Sequence, residues 1–133
     1  MSAPGTYGTV YGALQHIVGA EQWYLQLLTG DVIGRPIRRT DPPHSLEELA
    51  AIAQATGKRS LEVAAADDAA RIIPMRGGEH STVGVVLAQL LHHGNEHRAQ
   101  VATILGANGI EPPPISAWRY GDAVGISDAK DWR

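Results

Sequence analysis

The chain has 133 residues, a formal net charge of −3, 44% hydrophobic residues and no cysteine. This length and composition indicate one folded domain and exclude wholesale disorder, while the weak negative charge gives no broad attraction to nucleic acid. Without cysteine, disulfides and thiolate ligands are excluded, so a metal ion would be held by His, Asp or Glu. The N-terminus lacks the charged and apolar parts of a signal peptide, and no apolar run approaches the ~20 residues that span a membrane. We therefore expect a cytoplasmic protein without membrane or nucleic-acid partners.

The first predicted helix covers roughly residues 6–29 and stops at Gly30, which is a plausible C-cap. Its apolar residues recur at helical spacing and are Val10, Leu14, Ile17, Tyr24 and Leu28. Gln15, Gln22 and Gln26 fall together on the side away from this stripe. His16 lies on the flank of the stripe, at the edge of the predicted buried arc.

A loop rich in Gly, Pro and Asp follows at residues 30–45, and a second amphipathic helix is predicted from about 46 to 66. Ser45 and Glu48 have the spacing of a capping box. The predicted apolar face of this helix consists of Leu46, Leu49, Ala50, Ala53, Leu61 and Ala64. Residues 71–79, which Pro74 interrupts, predict an extended connector or a short edge strand. His44 and His80 precede helices and are predicted to lie on the surface.

The third predicted helix, at about 81–107, has the clearest signals. Asn108 and Gly109 would end it, and the prolines at 112–114 prevent its continuation. The single domain then closes with residues 116–133, which we predict to be an irregular tail. Trp118 and Tyr120 are expected to hold this tail against the helices, and its last residues are expected to fray.

The third helix carries half of the six histidines. His97 falls near the middle of its apolar face and His93 lies on the same side, whereas His92 and Glu96 point outward. Two inward imidazoles four residues apart have the geometry of metal ligands, and His16 would add a third from another helix. Three imidazoles suit Zn, Ni, Fe or Cu and leave a coordination position open. The alternative is three core histidines, each hydrogen-bonded to a partner.

Two polar residues lie close enough in sequence to support the imidazoles. Glu21 follows His16 by five residues, and Gln100 follows His97 by three. Either residue could orient a ring or touch a bound water. Each could equally be a polar residue on a helix surface. Arg98 is predicted to pair with a carboxylate or a helix end.

The stretches "GTYGTVYGALQHIVGAEQWYLQLLTG" (5–30) and "LLHHGNEHRAQVATILGANGIEPPP" (90–114) resemble the DinB (DNA-damage-inducible) family, the DinB/YfiT-like metalloenzymes. His16, His93 and His97 fall on the family's three metal-ligand positions. The resemblance implies an all-α helical bundle of the four-helix up-down type that holds a divalent metal, usually Zn or Ni. It also implies kinship with transferases that use a low-molecular-weight thiol such as mycothiol, bacillithiol or glutathione as cosubstrate.

The sequence departs from the family in two places. The family's bundle begins with a further helix ahead of the one that carries His16, and this chain apparently lacks that first helix. Either a second chain fills the gap or the start of the natural protein is absent from this sequence; for the first case we expect a homodimer whose contact covers the exposed apolar flank of the helices. In addition, Glu96 stands where the family often has another histidine.

The favoured interpretation is a divalent-metal-dependent enzyme acting on a small electrophilic metabolite in stress or detoxification metabolism. A metal can activate either a bound thiol or a bound water, so S-transferase and hydrolase both stay open. The alternative from another class is a non-catalytic metal-binding helical module that acts through a partner or a small ligand. The lack of an obvious general base favours that alternative.

Overall fold

The computed structural model describes residues 1–128. Three long helices dominate it: α1 (Val10–Thr29), α2 (Leu46–Ala66) and α3 (Val83–Ala107). A short antiparallel hairpin of β1 (Ile72–Pro74) and β2 (His80–Thr82) joins α2 to α3, and a short helix, α4 (Ala117–Ala123), follows α3. Because α1 packs against both α2 and α3, it forms the centre of the helical bundle. Each helix within residues 1–128 is too short or too polar to cross a membrane.

Helix α1 begins at Val10, four residues after the predicted start. The Thr9 hydroxyl accepts a hydrogen bond from the Gly12 amide at 3.0 Å and caps the helix. Just before it, Gly8 has a φ of 63°, which interrupts helical geometry. Residues 1–9 instead fold back, so that the Val10 amide donates to the Met1 carbonyl at 3.2 Å. This folded-back arm lies beside the N-terminal half of α1.

Helix α2 has the predicted bounds, but its predicted face is partly wrong. Leu46 and Leu61 are 58% and 64% exposed, and the buried stripe is Leu49, Ile52, Thr56, Ser60 and Val63. Polar residues can occupy this stripe because the hydroxyls of Thr56 and Ser60 donate to carbonyls of their own helix at 2.9 and 2.8 Å. A prediction that counts only apolar residues therefore places the buried face on the wrong part of the helix circumference.

The N-cap of α2 forms only half of the predicted capping box. The Ser45 hydroxyl accepts from the Glu48 amide at 3.1 Å. The Glu48 carboxylate pairs with Arg35 at 3.1 Å, and this contact ties the preceding loop to the first turn of α2.

The main apolar core lies between the C-terminal half of α1 and the first turns of α3. It contains Tyr24, Leu25, Leu28, Val63, Ile73, Val83 and Val86. A smaller cluster of Val18, Leu49 and Ile52 joins α1 to α2. Of the segment 71–79, predicted as a connector or edge strand, Ile72–Pro74 is one strand of the hairpin and Arg76–Gly78 forms a single 3-10 turn. The Ile73 side chain is buried.

Gln22 fixes the loop between α1 and α2, although the sequence placed it on the far side of the helix. Its Nε2 donates to the carbonyls of Ile33 and Arg35 at 2.8 and 3.0 Å, and its Oε1 accepts from the Ile37 amide at 2.9 Å. Gly19 permits the close approach, since a Cβ there would lie 3.2 Å from the Ile37 carbonyl oxygen. The loop therefore crosses α1 at a fixed position.

His44 is buried, with 1% of its surface exposed, so its predicted surface position is wrong. Its amide donates to Gln15 Oε1 at 3.1 Å, and its Nδ1 lies 3.2 Å from the Pro42 carbonyl oxygen. His80, in contrast, is exposed as predicted. A loop residue has no periodicity that would reveal its burial.

The segment after α3 also differs from the prediction. Ser116 caps α4, so the region expected to be wholly irregular contains a short helix. Trp118 and Tyr120 are 54% and 58% exposed and do not anchor the segment in the core. The expected fraying of the last residues falls at 129–133, outside the described residues.

Candidate metal centre

Three histidines from two helices meet beside the folded-back arm. His16 comes from α1, and His93 and His97 come from α3. The Nε2 atoms of His16 and His93 are 3.0 Å apart, and one ring nitrogen from each histidine lies within 4.8 Å of the others. His97 is buried and the other two rings are half-buried, while His92 and Glu96 are exposed as predicted.

This donor set fits a divalent transition metal. Two imidazole nitrogens bound to one tetrahedral ion at ~2.0–2.1 Å lie about 3.3 Å from each other, close to the observed contact of 3.0 Å between His16 and His93. Three imidazoles without a thiolate or carboxylate suit Zn, Ni, Cu or Fe. With both rings neutral, the short contact requires one Nε2 to donate a proton to the other.

Gln100 determines which nitrogen of His97 is available. The Tyr7 amide donates to one side-chain atom of Gln100 at 3.1 Å, and only the amide oxygen Oε1 can accept this bond. The same Oε1 lies 3.1 Å from His97 Nδ1, so Nδ1 must carry the proton and donate it. The neutral ring therefore keeps its lone pair on Nε2, which is the usual arrangement for a histidine ligand.

Tyr7 is a residue of the site that the sequence did not indicate. Its ring stacks on His16 with centroids 4.4 Å apart and meets the edge of His97 at 5.2 Å. It lies outside every helix, so no periodic pattern places it. Gly5 and Gly8 flank it, and the Thr9 cap follows; together these signals could have shown that the chain folds back here.

The surroundings of His16 and His93 disfavour protonation of their rings. Burial lowers the pKa of His16, and the nearby charges of His93, His97 and Arg39 lower it further. Burial also lowers the pKa of His93, with a smaller contribution from His97. A neutral imidazole has a free lone pair at neutral pH, so both shifts favour metal binding over protonation.

His93 has one unsatisfied atom. Its Nδ1 is buried and, within the described part of the chain, has no hydrogen-bond partner. An unpaired buried polar atom costs about 1–3 kcal/mol. The cluster is therefore less stable than an apolar contact of the same size.

Glu21 pairs with Arg98, not with an imidazole. Arg98 Nη2 donates to Glu21 Oε1 at 2.7 Å. The prediction that Arg98 pairs with a carboxylate or a helix end is therefore confirmed. Burial raises the pKa of the Glu21 carboxyl, and the guanidinium opposes this shift. Gly94 makes room for the bridge, since a Cβ there would lie 2.5 Å from Arg98 Nη1. Glu21 thus joins α1 to α3 close to the histidines.

A cavity of about 660 Å³ adjoins His16 and His93. One wall is α1 with Tyr11, Trp23 and Tyr24, and another is the loop at 37–43 with Arg38, Arg39 and Asp41. Trp23 is 49% exposed and faces this space, whereas Tyr24 belongs to the core. The arrangement provides a candidate ligand site next to the candidate metal ligands.

The family model of the DinB superfamily matches residues 8–101, a stretch that contains all three histidines. No curated protein and no solved structure matches the chain. The match covers most of the sequence and agrees with the helical bundle. The chain belongs to the DinB superfamily.

Proposed function

We propose that this protein is a divalent-metal-dependent enzyme of stress or detoxification metabolism that acts on a small electrophilic metabolite. The convergence of His16, His93 and His97 beside a cavity carries the proposal. Zn and Ni are the favoured ions because the donors are three imidazoles. When bound, such an ion lowers the pKa of a water or a low-molecular-weight thiol and so supplies a nucleophile near neutral pH.

The protein's own residues would divide the remaining tasks. The three histidines hold the ion, and Gln100 keeps His97 in the tautomer that presents Nε2. Tyr7 stacks on His16 and packs against His97, so its ring would help to hold these two imidazoles in place. The cavity beside His16 and His93 is then the place for the substrate.

The first prediction concerns metal content. Untagged protein should contain about one Zn or Ni per chain by elemental mass spectrometry, and His16→Ala, His93→Ala and His97→Ala should each lose it, because two remaining imidazoles bind far more weakly. His92→Ala is the matched control, since His92 lies on the same helix but is exposed. Wild-type protein that is empty and cannot be reloaded, or unchanged metal content in His97→Ala, would reject the site.

The second prediction concerns Gln100. Gln100→Leu should weaken metal affinity about 10- to 100-fold, because His97 loses the acceptor that fixes its tautomer and ring orientation. Affinity can be measured by competition with a chromogenic chelator. Gln26→Leu removes an exposed glutamine of α1 and should leave the affinity unchanged. Equal affinities in the two variants would show that Gln100 has no role at the metal.

The third prediction tests the reaction. Metal-loaded protein should accelerate conjugation of glutathione, or of another small thiol, to monochlorobimane. The thiolate sulfur forms a C–S bond, chloride leaves, and the thiol proton passes to solvent. Metal-free protein and His97→Ala should give only the uncatalysed rate. A metal-loaded protein that conjugates none of a panel of thiols and hydrolyses no model ester would instead support the non-catalytic metal-binding module.

We also propose that two copies of the chain associate through α2. Its outward apolar strip contains the exposed residues Leu46, Ala50, Leu61 and Ala64, and burying such a strip against a second copy is favourable.

The fourth prediction follows from this strip. Light scattering at micromolar concentration should give twice the mass of one chain, and Leu61→Glu should give a folded monomer. Ile126→Glu, at another exposed apolar residue, should remain a dimer. A stable, well-folded monomer in the wild type would refute the proposed dimer.

A further inference from the structure

Two arginines in the cavity wall, Arg38 and Arg39, form no ion pair with a carboxylate of residues 1–128. Within residues 1–128, Arg35, Arg59, Arg71 and Arg98 each form an ion pair, the shortest being 2.6 Å between Arg71 and Asp67. Arg38 and Arg39 form none there, and both line the cavity beside His16. Guanidinium groups without partners at a concave surface are suited to bind an anion, because their planar donors match a carboxylate or a phosphate.

The backbone that carries these arginines is held in place. The three hydrogen bonds of Gln22 fix residues 33–37 against α1. Directly afterwards, Asp41 Oδ2 accepts from the Arg38 amide at 2.8 Å, so this carboxylate closes the loop through a backbone bond. The loop thus presents two guanidinium groups from a fixed support, with one carboxylate partly offsetting their charge. Because the backbone of the loop is already held, less entropy is lost when its side chains bind a ligand.

The cavity also has a surface for an apolar group. Trp23 and Tyr11 from α1 and Ile37 from the loop line it together with the arginines. The half-exposed indole of Trp23 offers a flat surface for an aromatic or aliphatic moiety. The lining of the cavity therefore combines two arginines with aromatic and aliphatic side chains, and it includes His16.

We propose that this cavity binds an anionic small molecule whose carboxylate or phosphate is held by Arg38 and Arg39 while its apolar body lies along Trp23 towards His16. The inference rests on the proposed function in that this molecule would be the substrate of the same site. It adds a substrate class and two specificity-determining residues. The net charge of −3 makes the local positive edge more notable, since it attracts anions against the charge of the whole chain.

The fifth prediction tests this site by binding, independently of turnover. Phenylacetate and phenyl phosphate are titrated into metal-loaded protein by calorimetry or NMR, with uncharged phenylacetamide as the matched ligand. Wild type should bind the anions about tenfold or more tightly than the amide, as expected for charge-assisted hydrogen bonds. Arg38→Gln/Arg39→Gln should lose this preference. The control Arg76→Gln/Arg119→Gln, which removes two charges outside the cavity wall, should keep it.

A metal-free protein separates this inference from the proposed function. His97→Ala, whose metal content is measured directly, should retain the arginine-dependent preference for anions if Arg38 and Arg39 bind the charge. If the preference is lost in His97→Ala but kept in Arg38→Gln/Arg39→Gln, the anion binds at the metal and the inference is wrong. Equal binding of acid and amide, or binding of none of the three ligands, also overturns it. None of these outcomes depends on catalysis.

Discussion

The ion pair between Glu21 and Arg98 is the directional contact that joins α1 to α3 beside the candidate ligands, whose positions depend on the register of these two helices. At 2.7 Å, it joins a buried carboxylate to a half-buried guanidinium one residue from His97. The main apolar cluster lies towards the other end of these helices, around Leu28, Val83 and Val86. Such contacts are non-directional and tolerate sliding, whereas a hydrogen-bonded ion pair specifies one register. Gly94 leaves the space that the bridge occupies.

The position and the buried face of helix α3 could be predicted from the sequence because its buried residues recur regularly over its whole length. His93 and His97 followed from the spacing of four residues, and His16 from its place beside the apolar stripe of α1. Tyr7, Gln22 and His44 could not be found this way. Tyr7 and His44 are placed by chain reversals in loops, and Gln22 is buried because it satisfies backbone groups of a distant loop. Helical periodicity carries no information on such contacts.

The α1–α3 interface changes character along its length. Tyr24 and Leu28 belong to the apolar core, whereas nearer the arm the Glu21–Arg98 pair and the three histidines lie among buried apolar residues such as Ile17 and Ile104. Within residues 1–128 the buried Nδ1 of His93 has no hydrogen-bond partner, and burying such an atom is unfavourable. Polar residues on a buried helix face break the local rule for a stable core, and functional sites are where such departures are expected. The histidines could be recognised in the sequence for this reason, because they are polar residues on a predicted apolar helix face.

Gln100 Oε1 accepts hydrogen bonds from both the N-terminal arm and the histidine cluster, and so connects the two. One oxygen accepts from the Tyr7 backbone and from His97, so a change in either bond alters the other. A displacement of the Tyr7 backbone or of the His97 ring would therefore change the geometry of the bond that Gln100 makes with the other. Residues 1–9 thus help to set the position of a candidate ligand directly, through one shared acceptor and without any contact to the ion itself.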